Sequence, residues 1–227
     1  LRDFLDECRV VEKGSPYNLL NLCGGKYNII PSRADEFFEL MTDTIPFRSN
    51  QSRLSLSFVP PLDDRQPIRF DIDLRYSEKP AHDLQDFMNF GAALAEQVSQ
   101  VSEGDLDWVV VAKPRPYKKK NIWKSGFHVY FPDTKISLKD SVRVRNASLY
   151  LVGEIFSGHT NCPEDVLDEC VVVRKNGLMM AGCYKPGNDT GGRYNVICYG
   201  CYQDGSHQAS LLGEEWWLDV PLKVLYG

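Results

Sequence analysis

The stretch Pro67–Tyr76, "PIRFDIDLRY", decides how the rest of the chain is understood. Ile68, Phe70, Ile72 and Leu74 alternate with Arg69, Asp71, Asp73 and Arg75, the two-residue period of a strand buried on one side. Strand side chains alternate faces, so Asp71 and Asp73 share one, roughly 7 Å apart. Two carboxylates side by side repel, and a cation between them removes the penalty. Hard divalent ions such as Mg²⁺ or Mn²⁺ suit such oxygens, keeping waters and sharing the site with substrate phosphates. An Asp-x-Asp pair alone fits a solvated strand face equally well, so its meaning depends on the elements around it.

Those elements follow a regular order. Leu84, Phe87, Met88, Leu94 and Val98 recur at helical steps and predict an amphipathic helix over 81–100. "LDWVVVAKP" (106–114) predicts a buried strand, "RPYKKKNIWK" a basic loop, and "SGFHVYFPD" (125–133) a further strand. Ser137 with Asp140 three residues on opens a helical stretch to about Phe156, and "VLDECVVVRK" (166–175) predicts a fourth strand. This β-α-β-β-α-β order is that of a split βαβ, ferredoxin-like sheet with one face free of helices. Upstream, short helices and strands are expected, including a helix capped by Ser32 and a strand within 52–61. The Gly-rich tail predicts turns and short strands packed on the core. The expected fold is mixed α/β (α+β): an N-terminal α/β part over 1–66, a core over 67–187 and a C-terminal extension over 188–227.

At 227 residues the chain can bury a sizeable core. A net charge of −5 argues against coating nucleic acid over the whole surface but leaves room for a local basic groove. Neither a secretory leader nor an apolar run near 18 residues is visible, which predicts a soluble intracellular protein that is not secreted. The start at Leu1 suggests a piece of something longer. Seven cysteines, an odd number without framework spacing, predict reduced thiols. Cys198-x-x-Cys201 has zinc-knuckle spacing, with His159-x-x-Cys162 as a candidate second half, although free buried thiols account for the same residues.

Two further anchors carry chemistry. His128 lies on the strand after the basic loop and shares a face with Gly126 and Tyr130. Lys118, Lys119, Lys120 and Lys124 could meet a phosphate chain there, and Gly126 permits close backbone approach. Asp168, with Asp165 and Glu169 as rivals, begins the expected fourth strand and so falls near Asp71 and Asp73. Three carboxylates, two metal ions and a triphosphate are the parts needed for in-line nucleotidyl transfer.

"FDIDL", "KSGFHVYFP" and "VLDECVVVRKNGLMMAGCYKPG" resemble motifs I, II and III of the archaeo-eukaryotic primase superfamily, closest to domains of the PrimPol and viral primase–helicase type. The resemblance covers about residues 65–187. It implies a DNA-dependent primase or primer-extending polymerase acting on NTPs or dNTPs over a single-stranded DNA template. Asp71, Asp73 and Asp168 match the metal-binding carboxylates, and His128 matches the histidine that contacts the incoming phosphates. Lys185 matches a triphosphate-binding lysine, with Lys124, Ser125, Gly126 and Arg75 as further nucleotide contacts and Lys118–Lys120 as contacts to DNA. A helicase segment in the same polypeptide is the implied partner, in a nucleus, a viral replication site or a bacterial cytoplasm. Two positions depart from the pattern. Gly126 stands where a small hydroxyl residue is usual, and Met179 where an Arg is common, with Arg69, Arg75, Arg174 or Lys175 as candidate substitutes. A metal-dependent nuclease and a non-catalytic nucleic-acid-binding module are the competing readings.

Overall fold

A computed structural model describes residues 1–45, 54–59, 64–81, 83–173, 176–186, 192–213, 220 and 222–226. In chain order the elements are α1 (Arg2–Glu7), β1 (Leu19–Asn21), β2 (Lys26–Tyr27), α2 (Ala34–Thr44), β3 (Leu56–Phe58), β4 (Arg65–Tyr76), α3 (Leu84–Ser99), β5 (Leu106–Ala112), β6 (Tyr117–Lys119) and β7 (Ile122–Ser137). They continue with α4 (Leu138–Ala147), α5 (Leu149–Ile155), α6 (Pro163–Val166), α7 (Glu169–Val172), β8 (Leu178–Met179), β9 (Asn195–Gln203), β10 (Ser206–Leu211) and α8 (Leu222–Tyr226).

The large sheet runs β10-β9-β5-β7-β4, every neighbour antiparallel, and a small sheet runs β2-β1-β3-β8. The alternation in β4 does what its period demands. Ile68, Phe70, Ile72 and Leu74 are buried with Phe127, Val129 and Phe131 of β7 in a core that also holds residues of α3, α4 and α5. Trp108 fills the middle of this core because Gly91 on α3 and Gly200 on β9 leave it space; a Cβ at either would come within 2.6 and 2.4 Å of its ring. Ser137 caps α4 by accepting from the Asp140 backbone N–H at 3.1 Å, the capping box expected there.

The opposite face is bare only in part. Val109, Val111, Tyr130 and Val196 are buried in a second core with Phe37, Met41 and Leu56 of the N-terminal lobe and Leu222 and Tyr226 of α8. Tyr130 meets Tyr226 edge-on at 5.4 Å. What stays open on this face is a cavity beside Asp71 and Asp73.

Three local expectations are corrected. Of the strand expected over 166–175, the described residues 166–173 form none: Pro163 opens α6, Leu167 makes an isolated bridge to Ile72, and Asp168 caps α7 by accepting from Cys170 N–H at 2.8 Å. A proline start and an Asp cap outweigh the strand preference of Val171–Val173. The strand that completes the β-α-β-β-α-β order is β9, in the tail, and it pairs with β5 rather than with β4. Residues 195–211 therefore belong to the main sheet, while Leu178 and Met179 join the small one. Finally, the basic loop is a hairpin: β6 pairs with the start of β7, and Lys120 takes the left-handed φ of 57° at its turn.

Candidate active site

The β4–β7 register sets the geometry. Asp71 lies opposite His128, Asp73 opposite Gly126, and Arg75 opposite Lys124. His128 Nε2 is 3.5 Å from Asp71 Oδ1. The Lys124 ammonium donates to both oxygens of Asp73, at 3.0 and 2.7 Å, and Arg75 approaches Asp73 Oδ2 at 3.4 Å. Gly126 lies close against β4, where a Cβ would come 3.0 Å from the Ile72 carbonyl.

Strand β4 is the sheet's last strand, and the segment 160–168 runs along its outer side. Thr160 N–H donates to Arg75 O at 2.7 Å, Asn161 Nδ2 donates to Asp73 O at 2.8 Å, and Asp168 N–H donates to Asp71 O at 3.0 Å. The buried Arg145 fixes this segment, donating to Leu167 O at 3.0 and 2.8 Å and to Glu164 O at 2.8 Å. Covering an edge strand this way satisfies its backbone and also delivers Asp168 beside Asp71. The route differs from the strand expected for 166–175, but the neighbours are the same.

Asp71, Asp73, Asp168, His128, Arg75, Gly126 and the exposed Lys185 all line one cavity of about 790 Å³. Lys124 reaches it through Asp73. Burial pushes the Asp71 carboxyl up to about 7, Asp73 and Asp168 adding to the push and Lys185 opposing it. Burial pushes His128 down to about 3, helped by Lys185 and Lys113, so its ring is neutral at pH 7. That ring stacks on Tyr194 with centroids 4.8 Å apart.

Among the described residues no three of His, Cys, Asp and Glu stand close enough to form a ready-made metal cage. The donors nevertheless suit a hydrated hard cation. They are oxygens only, and the upward push that Asp73 and Asp168 exert on Asp71 is repulsion a cation would relieve. The zinc-knuckle reading is not supported by the fold. Cys198 and Cys201 sit three apart on continuous β9, so their thiols point to opposite faces, Cys198 into the helix-side core. None of the seven cysteines is in a disulfide.

Other candidates fall outside the cavity. Ser125 is opposite Leu74 on the helix-covered face and is buried there, because it is one residue out of phase with Lys124 and Gly126. Lys118, Lys119 and Lys120 are exposed on the β6–β7 hairpin and do not line the cavity. Arg69 is buried and donates to Phe58 O and Asn176 O, fastening the lobes rather than facing the cavity. Met179 lines the wall as a buried side chain paired with Ser57, and Arg174 and Lys175 lie outside the described residues. Sequence reasoning missed Lys113, Tyr117, Tyr194 and Arg145. Only Lys113 carried a signal, a cation at the end of the apolar run "VVVAK".

Oxygen donors and ammonium groups facing one cavity form a pocket that can hold a phosphate chain together with its cation. Residues 19–198 match the family model described as the C962R protein N-terminal AEP domain, and the chain belongs to that family of archaeo-eukaryotic primase domains. Such domains are in general nucleotidyltransferases of the primase type, acting in replication with divalent metals. No curated protein matches the chain. No described helix is long and apolar enough to cross a membrane.

Proposed function

We propose that this chain is a DNA-dependent primase or primer-extending polymerase, transferring nucleotides from NTPs or dNTPs to a 3′-hydroxyl on single-stranded DNA. The observation that supports this best is the meeting of Asp71, Asp73 and Asp168 with His128, Lys185 and Lys124 at one cavity. The three carboxylates are the groups that would hold Mg²⁺ or Mn²⁺. Two such ions, when bound, activate the attacking hydroxyl and neutralise charge on the leaving pyrophosphate. Lys185 and Lys124 bind phosphate oxygens, and neutral His128 supplies a hydrogen bond without adding charge beside Asp71. Lys124 of β7 and Arg75 of β4 hold the Asp73 carboxylate between them. The Lys118–Lys120 hairpin gives salt-sensitive contacts to the template backbone. A longer polypeptide with a helicase segment, acting inside the cell, is the setting this reading expects.

The test is an assay on single-stranded DNA with labelled nucleotides and Mn²⁺ or Mg²⁺, run with and without a primer. Products from the wild type and none from Asp71→Ala or Asp73→Ala, with both variants folded, support the proposal. Products only from the primed template would narrow it to a polymerase that needs help to start. Full activity in both variants would refute it.

A further inference from the structure

Lys113 follows β5 directly and is buried, with 2% of its surface exposed. On β5, Val109 lies opposite Tyr130 and Val111 opposite His128. Continuing the alternation by one step puts Lys113 on the same face, across from Gly126, which is itself opposite Asp73. The row thus reads carboxylate, glycine, ammonium across three strands, a span of about 10 Å at the usual strand spacing. The missing side chain at Gly126 leaves the floor between the two charges open. One row further along, His128 fills the same place beside Asp71.

The ammonium is held rather than free to swing. It lies 4.1 Å from the Tyr117 ring centroid and 5.1 Å from that of Tyr194, and all three side chains line the cavity. Tyr194 is in turn fixed by its stack on His128. Two aromatic faces steady a cation without neutralising it. Burial pushes Lys113 down to about 7, and among the described residues Lys185 and Lys124 add to that push while Asp73 opposes it. Burying the Lys113 ammonium beside Lys185 costs the empty protein stability, and an anionic phosphate between the two is the kind of ligand that reverses that cost. Met179, on the same wall, brings no charge.

We propose that Lys113 is a substrate-contacting residue, the third cation of the triphosphate cradle, reaching the phosphate chain over the open floor at Gly126. This rests on the nucleotidyl-transfer reading of the cavity. It assigns the binding energy for the phosphates to three lysines on three separate segments: Lys185, Lys124 on β7, and Lys113 after β5. A nucleoside monophosphate, too short to engage all three, gains least from the third.

The experiment measures binding of α,β-methylene-dATP and of dAMP with Mg²⁺ and no DNA, by calorimetry, for wild type and Lys113→Met. The expected result is a triphosphate Kd weakened about 10- to 100-fold in the variant, the range of one charge-assisted contact, with dAMP affinity changed less than about twofold. Lys113→Arg, which keeps the charge, is the second variant and is expected to retain more triphosphate affinity than Lys113→Met. Equal triphosphate affinity in wild type and Lys113→Met, or an equal loss for dAMP and the triphosphate, would overturn the role of Lys113 and leave the site's reading intact. Failure of the wild type to bind the triphosphate at all would overturn both.

Discussion

Replacing Lys113 by Met is expected to stabilise the metal-free protein near neutral pH, and by an amount that shrinks as pH rises. The side chain is almost fully buried, and its ammonium titrates near 7 in the fold against an ordinary 10.5. Between those values the unfolded chain binds more protons than the native one, so wild-type stability rises with pH across this window. At about 1.4 kcal/mol per unit, the buried lysine costs roughly 4 kcal/mol at pH 7 and about 2 kcal/mol at pH 9. Loss of the cation contacts to Tyr117 and Tyr194 returns about 1 kcal/mol of that gain at pH 7 and almost none at pH 9, where the amine is neutral. The net expectation is a Met variant more stable by about 3 kcal/mol at pH 7 and about 2 kcal/mol at pH 9. Urea unfolding of both proteins in EDTA at pH 7, 8 and 9 measures it. Taking the difference between the proteins cancels the other groups that contribute to the slope in this range, among them Cys198, whose thiol ionises near its ordinary value in the unfolded chain but is pushed by burial up to about 12 in the fold. A stability difference that stays constant from pH 7 to 9 would refute the reasoning, since an ammonium with an ordinary pKa gives no such slope. The expected trade, stability gained where triphosphate affinity is lost, is characteristic of a charge kept for binding.

Three further outcomes follow from the geometry. Arg145→Met leaves the Leu167 and Glu164 carbonyls without their buried donor, and is expected to cost about 2–3 kcal/mol in thermal unfolding while lowering nucleotide incorporation through a loosened Asp168. Gly91→Ala places a methyl 2.6 Å from the Trp108 ring and is expected to cost about 1–3 kcal/mol, visible in denaturant unfolding, with nucleotide affinity unchanged. Replacing Lys118, Lys119 and Lys120 together by Ala is expected to flatten the dependence of single-stranded DNA affinity on salt by about 2 in log–log slope, measured by fluorescence anisotropy. An unchanged slope would remove the hairpin from the template path.

The strict alternation of "PIRFDIDLRY" made β4 and its two faces legible, because a two-residue period is a local property of the chain. Strand β7 and the capping box at Ser137 were legible for the same reason. Segment 166–175 was not, since its β-branched run favours a strand and only tertiary contacts reveal the competing arrangement. Those contacts are the Arg145 guanidinium on Leu167 O and the Asp168 N–H on Asp71 O. Strand β9 was obscured by its glycine-rich surroundings, where Gly200 serves to admit a tryptophan from the neighbouring strand. The placing of Asp168 beside Asp71 was therefore reached from an incorrect secondary structure, through the correct expectation that this segment returns to β4. Lys113 stayed hidden because the burial of a lysine depends on partners, Tyr117 and Tyr194, that lie on other segments.

The measurement that tests the central claim most directly follows the label of the nucleotide. Wild-type protein is incubated with single-stranded DNA, primer, Mn²⁺, and dATP labelled at either the α- or the γ-phosphate. If the cavity carries out nucleotidyl transfer, the α-label enters a lengthened strand and the γ-label leaves as pyrophosphate, and both events vanish in Asp71→Ala. DNA that is shortened without taking up α-label would contradict the account and make the same carboxylates those of a nuclease.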